Sequence, residues 1–230
     1  MIAELSERLQ LARGRGGRAA TAYWLAKRLL QVETYKFSAT TLPAAVTPAD
    51  TTLPTGYEFI CIGSEADLAR YAPALIDALS SNNGVSVEDT VAKGGRIYAI
   101  VCGERVITQQ RVEFGRSYTG SPYPMDIYVP PGEAFFSYLY TQPSERGNGW
   151  ARRLTAHITS HLAENGIVRC ISHTRATNVG SLATRKRCGW KVVAHLYYFK
   201  PGKRGYLRRL SAWKDIGCQL KAVPANSAKK

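Results

Sequence analysis

The spacing of apolar and polar positions changes several times along the chain, and the changes divide it. Residues 1–36 have helical spacing, interrupted around Gly14, Gly16 and Gly17. The second piece, Thr21–Tyr35, is cationic and carries Tyr23, Trp24, Leu25, Leu29, Leu30 and Val32. This predicts a basic helical extension whose apolar side packs on the domain behind it. The competing reading lays the same face on an anionic membrane surface. Residues 37–56 set Pro43, Pro48 and Pro54 among many threonines and predict a linker.

From Tyr57 the periodicity becomes regular. Tyr57–Ile62 alternates as a strand does, Ala66–Leu79 has helical spacing, and Val85–Ala92 predicts a second short helix. Arg96–Cys102 and Arg105–Phe114 predict two strands joined at Gly103–Glu104 as a hairpin. Residues 115–132 mix proline, glycine and tyrosine and predict a loop, and Ala134–Thr141 an aromatic strand. A helix follows over Trp150–Glu164, with Leu154, Ile158 and Leu162 on one face and Asn165-Gly166 as its end signal. Val168–Thr174 predicts a strand, Asn178–Cys188 a short helix and Trp190–Phe199 a long strand. A meander combined with one crossover argues for an α/β fold with a sheet of mixed direction. Residues 201–230 predict a basic C-terminal tail.

Charge adds a statement about partners. Lys and Arg number 31 against 17 Asp and Glu, a net +14. That balance favours polyanionic company: a phosphate-rich cofactor, an anionic membrane surface or nucleic acid. From Lys200 onward nine basic residues face Asp215 alone. Within that segment Lys203, Arg204, Arg208 and Arg209, with Tyr206 between them, suit phosphates or lipid headgroups, or simply a solvated face. The five cysteines are scattered and never form a CxxC pair, which fits reduced thiols better than disulfides or zinc. No run reaches the ~20 apolar residues of a membrane helix, and no signal-peptide pattern opens the chain. A cytoplasmic location, peripheral at the inner face of the membrane if the basic ends bind there, is the expectation.

The stretch that carries chemistry is the turn between the aromatic strand and the long helix. Arg146-Gly147-Asn148-Gly149 opens directly into Trp150-Ala151. Glycines allow close approach of the backbone, the first helical N–H groups lack partners, and the helix dipole adds positive potential. Such a turn cradles anions, although two glycines also serve any tight strand-to-helix turn. It lacks the Lys-Ser/Thr ending of a P-loop and the third glycine of a dinucleotide fingerprint.

Arg146-Gly147-Asn148-Gly149-Trp150-Ala151 resembles the R/Q-x-x-G-x-G/A signature of the GNAT superfamily of N-acetyltransferases. Asn178-Val179-Gly180-Ser181-Leu182, followed by Cys188-Gly189-Trp190, resembles that superfamily's second element. A helix and a strand separate the two, as the resemblance requires. It implies a GNAT-type domain at residues 57–200: a mixed, mostly antiparallel sheet flanked by helices, preceded by the N-terminal helical extension. It also implies acetyl-CoA or another acyl-CoA as co-substrate, no metal, and direct attack of an amine on the thioester. The backbone of Leu139, Tyr140 and Thr141 would pair with pantetheine. The amides of Arg146, Gly147, Asn148, Gly149, Trp150 and Ala151 would hold the pyrophosphate, and Asn178 would reach the pantetheine or thiol end. The acceptor would be a small-molecule or glycan amine. A basic helix before the domain, running into Lys27–Phe37, is similar to GNAT proteins of cell-surface polysaccharide synthesis, which brings in an amino sugar. Nucleic acid ranks behind these partners.

One position departs from the resemblance. The tyrosine that protonates the departing thiolate in many members is replaced by Arg185, which cannot act as an acid at neutral pH but can steady negative charge. Arg185 and Tyr138 are the candidate catalytic residues. Glu113, Glu133 and Asp126 join Tyr138 as groups bordering the acceptor cleft, each with a structural role as the plainer alternative. His157 and His161 stand four apart on a helix as metal ligands can, without a third ligand. His173 ends a strand beside the cleft. The competing class is a non-catalytic module of the same fold that senses acyl-CoA or docks on membrane or nucleic acid.

Overall fold

The computed structural model describes residues 32–44, 51–83, 86–119, 125–199, 206–209 and 217–222. Of the helical extension read over residues 1–36, residues 1–31 lie outside them, as do Lys203 and Arg204.

Eleven strands and five helices are seen among the described residues. The strands are β1 (Val32–Thr41), β2 (Tyr57–Ile62), β3 (Arg96–Cys102), β4 (Arg105–Glu113), β5 (Arg116–Thr119), β6 (Met125–Tyr128), β7 (Glu133–Thr141), β8 (Arg169–Arg175), β9 (Lys191–Phe199), β10 (Tyr206–Arg209) and β11 (Gln219–Ala222). The helices are α1 (Glu65–Leu68), α2 (Pro73–Asn83), α3 (Val87–Ala92), α4 (Trp150–Glu164) and α5 (Val179–Arg187). None is long and apolar enough to cross a membrane.

Eight strands form one sheet in the order β10-β9-β1-β8-β7-β4-β3-β2, and β11-β6-β5 form a second. All pairings in the large sheet are antiparallel except β7 with β8. This is the mixed, mostly antiparallel sheet expected. The core has two faces because successive strand residues point opposite ways. On one face Phe136, Cys170, Trp190 and Tyr98 pack against Leu154, Ile158 and Leu162 of α4. On the other, Tyr35, Phe37, Phe135, Ile171 and Leu196 pack against Met125, Ile127 and Leu220 of the small sheet. Helices α1–α3 cover the β2–β3 end through Leu75, Leu79, Val87 and Val91.

Four expectations need correction. Residues 32–41 are neither helix nor linker but a strand inserted between β8 and β9. Tyr35 and Phe37 are buried on one face and Thr34 and Ser38 on the other. Small polar side chains toward the helical face hid the alternation. Residues 115–132 are not a plain loop, because β5 and β6 pair there. The tail is partly folded in: β10 extends the large sheet, β11 pairs with β6, and Cys218 and Leu220 join the core. Their four-residue length explains why no periodicity revealed them. The helix read over Ala66–Leu79 is two helices, α2 starting anew at Pro73, where proline lacks the N–H that a continuous helix needs.

Candidate active site

The site originates in a misfit between β4 and β7. Gln109 faces Tyr140 and Arg111 faces Ser137, so Gln110 alone opposes both Tyr138 and Leu139. This is a bulge, and Tyr138 takes up the extra length with φ 52°. Among the described residues it is the one non-glycine with positive φ, a conformation that persists only when its surroundings impose it. Here Gln110 Nε2 donates to the Ser137 carbonyl and the Arg111 guanidinium lies 4.2 Å from the Tyr138 ring centre. Beyond the bulge β7 turns away from β8. Their parallel pairing runs from Glu133–Arg169 to Phe136–Ser172 and then stops.

The opening is a cavity of about 300 Å³ that reaches both faces of the sheet. Phe136, Gln110, Asn178, Ser181 and Arg185 line it on the helical side, and Tyr35, His173 and Thr119 on the small-sheet side. It thus brings together Tyr138, Leu139, Asn178 and Arg185 of the expected site. Tyr140, Thr141 and Arg146–Ala151 stand outside its lining. Two of the strand carbonyls are already engaged: Tyr140 O accepts from Thr108 Oγ1 at 2.8 Å and Thr141 O from Arg146 Nε at 3.1 Å.

The turn after β7 is built as an open cradle. Gly147 and Gly149 have φ of 93° and 80°, and a Cβ at either would meet nothing within 4 Å. Trp150 anchors the start of α4. It is buried, stacks on Tyr57 at 4.5 Å, and donates from Nε1 to Glu145 at 3.1 Å, which pairs with Arg105 at 3.1 Å. The first helical amides to find acceptors are those of Arg152 and Arg153, both on Gly149 O. Those of Trp150 and Ala151 have no intrahelical acceptor by helix geometry. Amides without intrahelical acceptors at a helix start, next to glycines with space above them, suit a phosphate.

Asn178 is the N-cap of α5, its Oδ1 accepting from Ser181 N at 3.1 Å. About two turns later Arg185 points under the sheet. It is 3% exposed, its Nη2 donates to Gln110 Oε1 at 2.9 Å, and its Nη1 is buried without an acceptor. The guanidinium sits 4.5 Å from the Trp190 ring centre and 5.2 Å from that of Phe136. Among the described residues no carboxylate pairs with it. Burial pulls its pKa down to about 10, so it stays charged at neutral pH. The pKa of His173, enclosed by Tyr35, Phe37 and Phe135, moves in the same direction with the opposite result. Burial, assisted by the charge of Arg175, lowers its pKa to about 4, and the imidazole is neutral at pH 7.

The remaining candidates are engaged elsewhere. Glu113 pairs with Arg111 at 3.1 Å and accepts from Ser117 and Ser137. Asp126 forms a two-point pair with Arg116, and Glu133 faces Arg169 at the closed end of β7–β8. None of the three lines the cavity. His157 stacks on Phe59 at 4.7 Å, and His161 Nδ1 lies 3.2 Å from the Tyr98 hydroxyl, so packing explains both. Sequence reasoning missed Gln110. The signal was present: Thr108-Gln109-Gln110-Arg111 is a polar run in a strand of the sheet interior, and all four are buried. Buried polar groups need partners, and such a run marks a network.

Residues 94–190 match the acetyltransferase (GNAT) family. Among solved structures, a protein assigned to the GNAT family of acetyltransferases from Novosphingobium aromaticivorans superposes with a TM-score of 0.51 at 18% identity, over 73% of this chain and 63% of that one. A GCN5-related N-acetyltransferase from Kribbella flavida gives 0.50 at 14% identity, over 79% and 63%. A conserved protein of unknown function from Staphylococcus epidermidis gives 0.50 at 7% identity, over 77% and 65%. The chain spans less than two thirds of the length of each, and these likenesses establish the fold. No curated protein sequence matches the chain.

Proposed function

We propose that the protein, whose residues 94–190 match the acetyltransferase (GNAT) family, transfers an acyl group from acyl-CoA to an amine in the notch between β7 and β8. The observation that carries this reading is the arrangement of three parts. They are an open glycine turn at the start of α4, the end of the β7–β8 pairing, and a cavity lined from both faces of the sheet. In this reading the amides of Arg146–Ala151 hold the pyrophosphate, and the free edge of Leu139–Thr141 meets the pantetheine. Asn178 offers its Nδ2, since Oδ1 serves the cap. The amine enters from the small-sheet side.

The nucleophile must be uncharged. Two arginines and no Asp or Glu line the cavity, and a cationic neighbourhood lowers the pKa of a bound ammonium. The neutral His173 adds no opposing charge. The amine nitrogen bonds to the thioester carbon, the C–S bond breaks with its electron pair on sulfur, and the amine proton passes to water. Arg185 supplies no proton, but its positive charge steadies the thiolate. Tyr138, exposed at the bulge, borders the acceptor entrance.

The same replacement of a proton donor by Arg185 also fits a domain that binds acyl-CoA without turnover. Two measurements separate these. Acetyl-CoA at 100 times its dissociation constant should stabilise the protein by about 2.7 kcal/mol in either case. Thiol release from acetyl-CoA with a panel of amines should occur only in the enzyme. Gly149→Ala tests backbone strain alone, because its φ is positive. Gly149→Asp adds a carboxylate facing the phosphates and should weaken CoA binding at least about tenfold more, about 1.4 kcal/mol. Equal affinities of the two variants would place the cofactor elsewhere.

A further inference from the structure

Arg185 is a cation buried before any substrate arrives. Its Nη2 is used by a neutral amide and its Nη1 has no acceptor. The neighbouring surfaces are the faces of Trp190 and Phe136. The other cavity arginine differs, since Arg175 lies 3.9 Å from the Glu33 carboxylate. An anion entering the notch therefore meets one guanidinium whose charge is already matched and one whose charge is not. A thiolate would answer Arg185 only during the reaction. A carboxylate would answer it for as long as the substrate is bound, and its planar geometry matches a guanidinium edge.

We propose that Arg185, held by Gln110, binds a carboxylate carried by one of the two substrates. The source is either the far end of a dicarboxylic acyl chain on CoA or the carboxylate of an amino-acid-type acceptor. The assignment rests on the acyl-transfer reading above and narrows its substrate class. Gln110 is the positioning residue: it fixes the guanidinium through Oε1 while its Nε2 is tied to the Ser137 carbonyl at the bulge. The geometry of the opening and the orientation of Arg185 are thus set by one side chain.

Calorimetric titration of the full chain distinguishes the sources without requiring turnover. In the donor arm, acetyl-CoA, succinyl-CoA and the methyl ester of succinyl-CoA are compared. In the acceptor arm, CoA-saturated protein is titrated with N-acetylglycine and with N-acetylglycinamide. In one arm the carboxylate should bind at least about tenfold more tightly than its uncharged counterpart. Arg185→Met should bring that ratio to about one and Arg185→Lys should keep part of it. Circular dichroism and the affinity for CoA itself report that each variant is folded. No discrimination in either arm overturns the proposal, as does discrimination that survives Arg185→Met. A role confined to the thiolate would leave the ratios unmoved and lower turnover alike for every substrate pair. If CoA and its esters fail to bind at all, the acyl-transfer reading falls, and this assignment with it.

Discussion

Arg111 and Arg185 are both buried beside the same bulged strand, one toward the small sheet and one toward the helices, yet their charges are treated in opposite ways. Arg111 is 6% exposed and fully answered: Glu113 at 3.1 Å, Ser137 Oγ at 3.0 Å and the ring of Tyr138. Arg185 is 3% exposed and has one neutral partner and two aromatic faces. Withdrawing a cation from water costs several kcal/mol. A charged hydrogen bond returns about 1.5–3 kcal/mol and a cation–π contact about 0.5–2. Arg111 adds a buried counter-charge to such contacts, and Arg185 does not. The first arginine is part of what holds the bulge. The second has the signature of a group kept for a ligand, at the expense of stability.

The comparison breaks first at Arg111. Arg111→Met should destabilise the protein by about 3–5 kcal/mol, because it leaves the half-buried Glu113 carboxylate without its cation. Chemical denaturation would measure this, and adding Glu113→Gln should recover a large part of the loss. A loss that the second change does not touch would mean that the carboxylate is not the cause.

His173 sharpens the comparison by a third route, since it escapes the cost of burial by giving up its charge. Its folded pKa, about 4, lies below the ordinary 6.5, so between these values the unfolded chain binds a proton that the folded one refuses. Stability from this residue is complete above about pH 6.5 and falls as the pH drops toward 4, by about 3 kcal/mol in all. Unfolding midpoints at pH 7 and pH 4.5 should differ accordingly, and His173→Phe should flatten this part of the profile. A variant with an unchanged profile would place the acid sensitivity elsewhere.

The smallest expected effect carries the opposite sign. Arg185→Met removes an unanswered charge and keeps apolar bulk under Trp190 and Phe136. It should stabilise the unliganded protein by about 1–3 kcal/mol. A lower melting temperature instead would show that Gln110 and the two rings already compensate the guanidinium, and the contrast with Arg111 would disappear.

Sequence reasoning reached the elements whose cause is local. The glycine turn, the apolar stripe of α4 and the cap at Asn178 depend on neighbours a few residues away, and each is legible in the residues themselves. Gly149 in the left-handed region and Asn178 capping α5 follow from residue chemistry at single positions. The mixed sheet followed from the order of such elements.

What stayed hidden depends on partners distant in the chain. Residues 32–41 became a strand because two edges, β8 and β9, were there to receive them. No pattern in Val32–Thr41 says where those edges lie. Arg185 stands in the run Arg185-Lys186-Arg187, which by composition looks like a solvated face, and Lys186 and Arg187 are indeed exposed. The direction in which α5 leaves β8 turns Arg185 alone beneath the sheet. Sequence by itself determined that an open glycine turn starts a helix after an aromatic strand, because propensity and capping act within one turn. Only the tertiary structure decided that β7 departs from β8 at a bulge pinned by Gln110, and that a lone cation waits beneath the opening. Register and burial are properties of elements brought together from far apart in the chain, 75 residues in the case of Gln110 and Arg185.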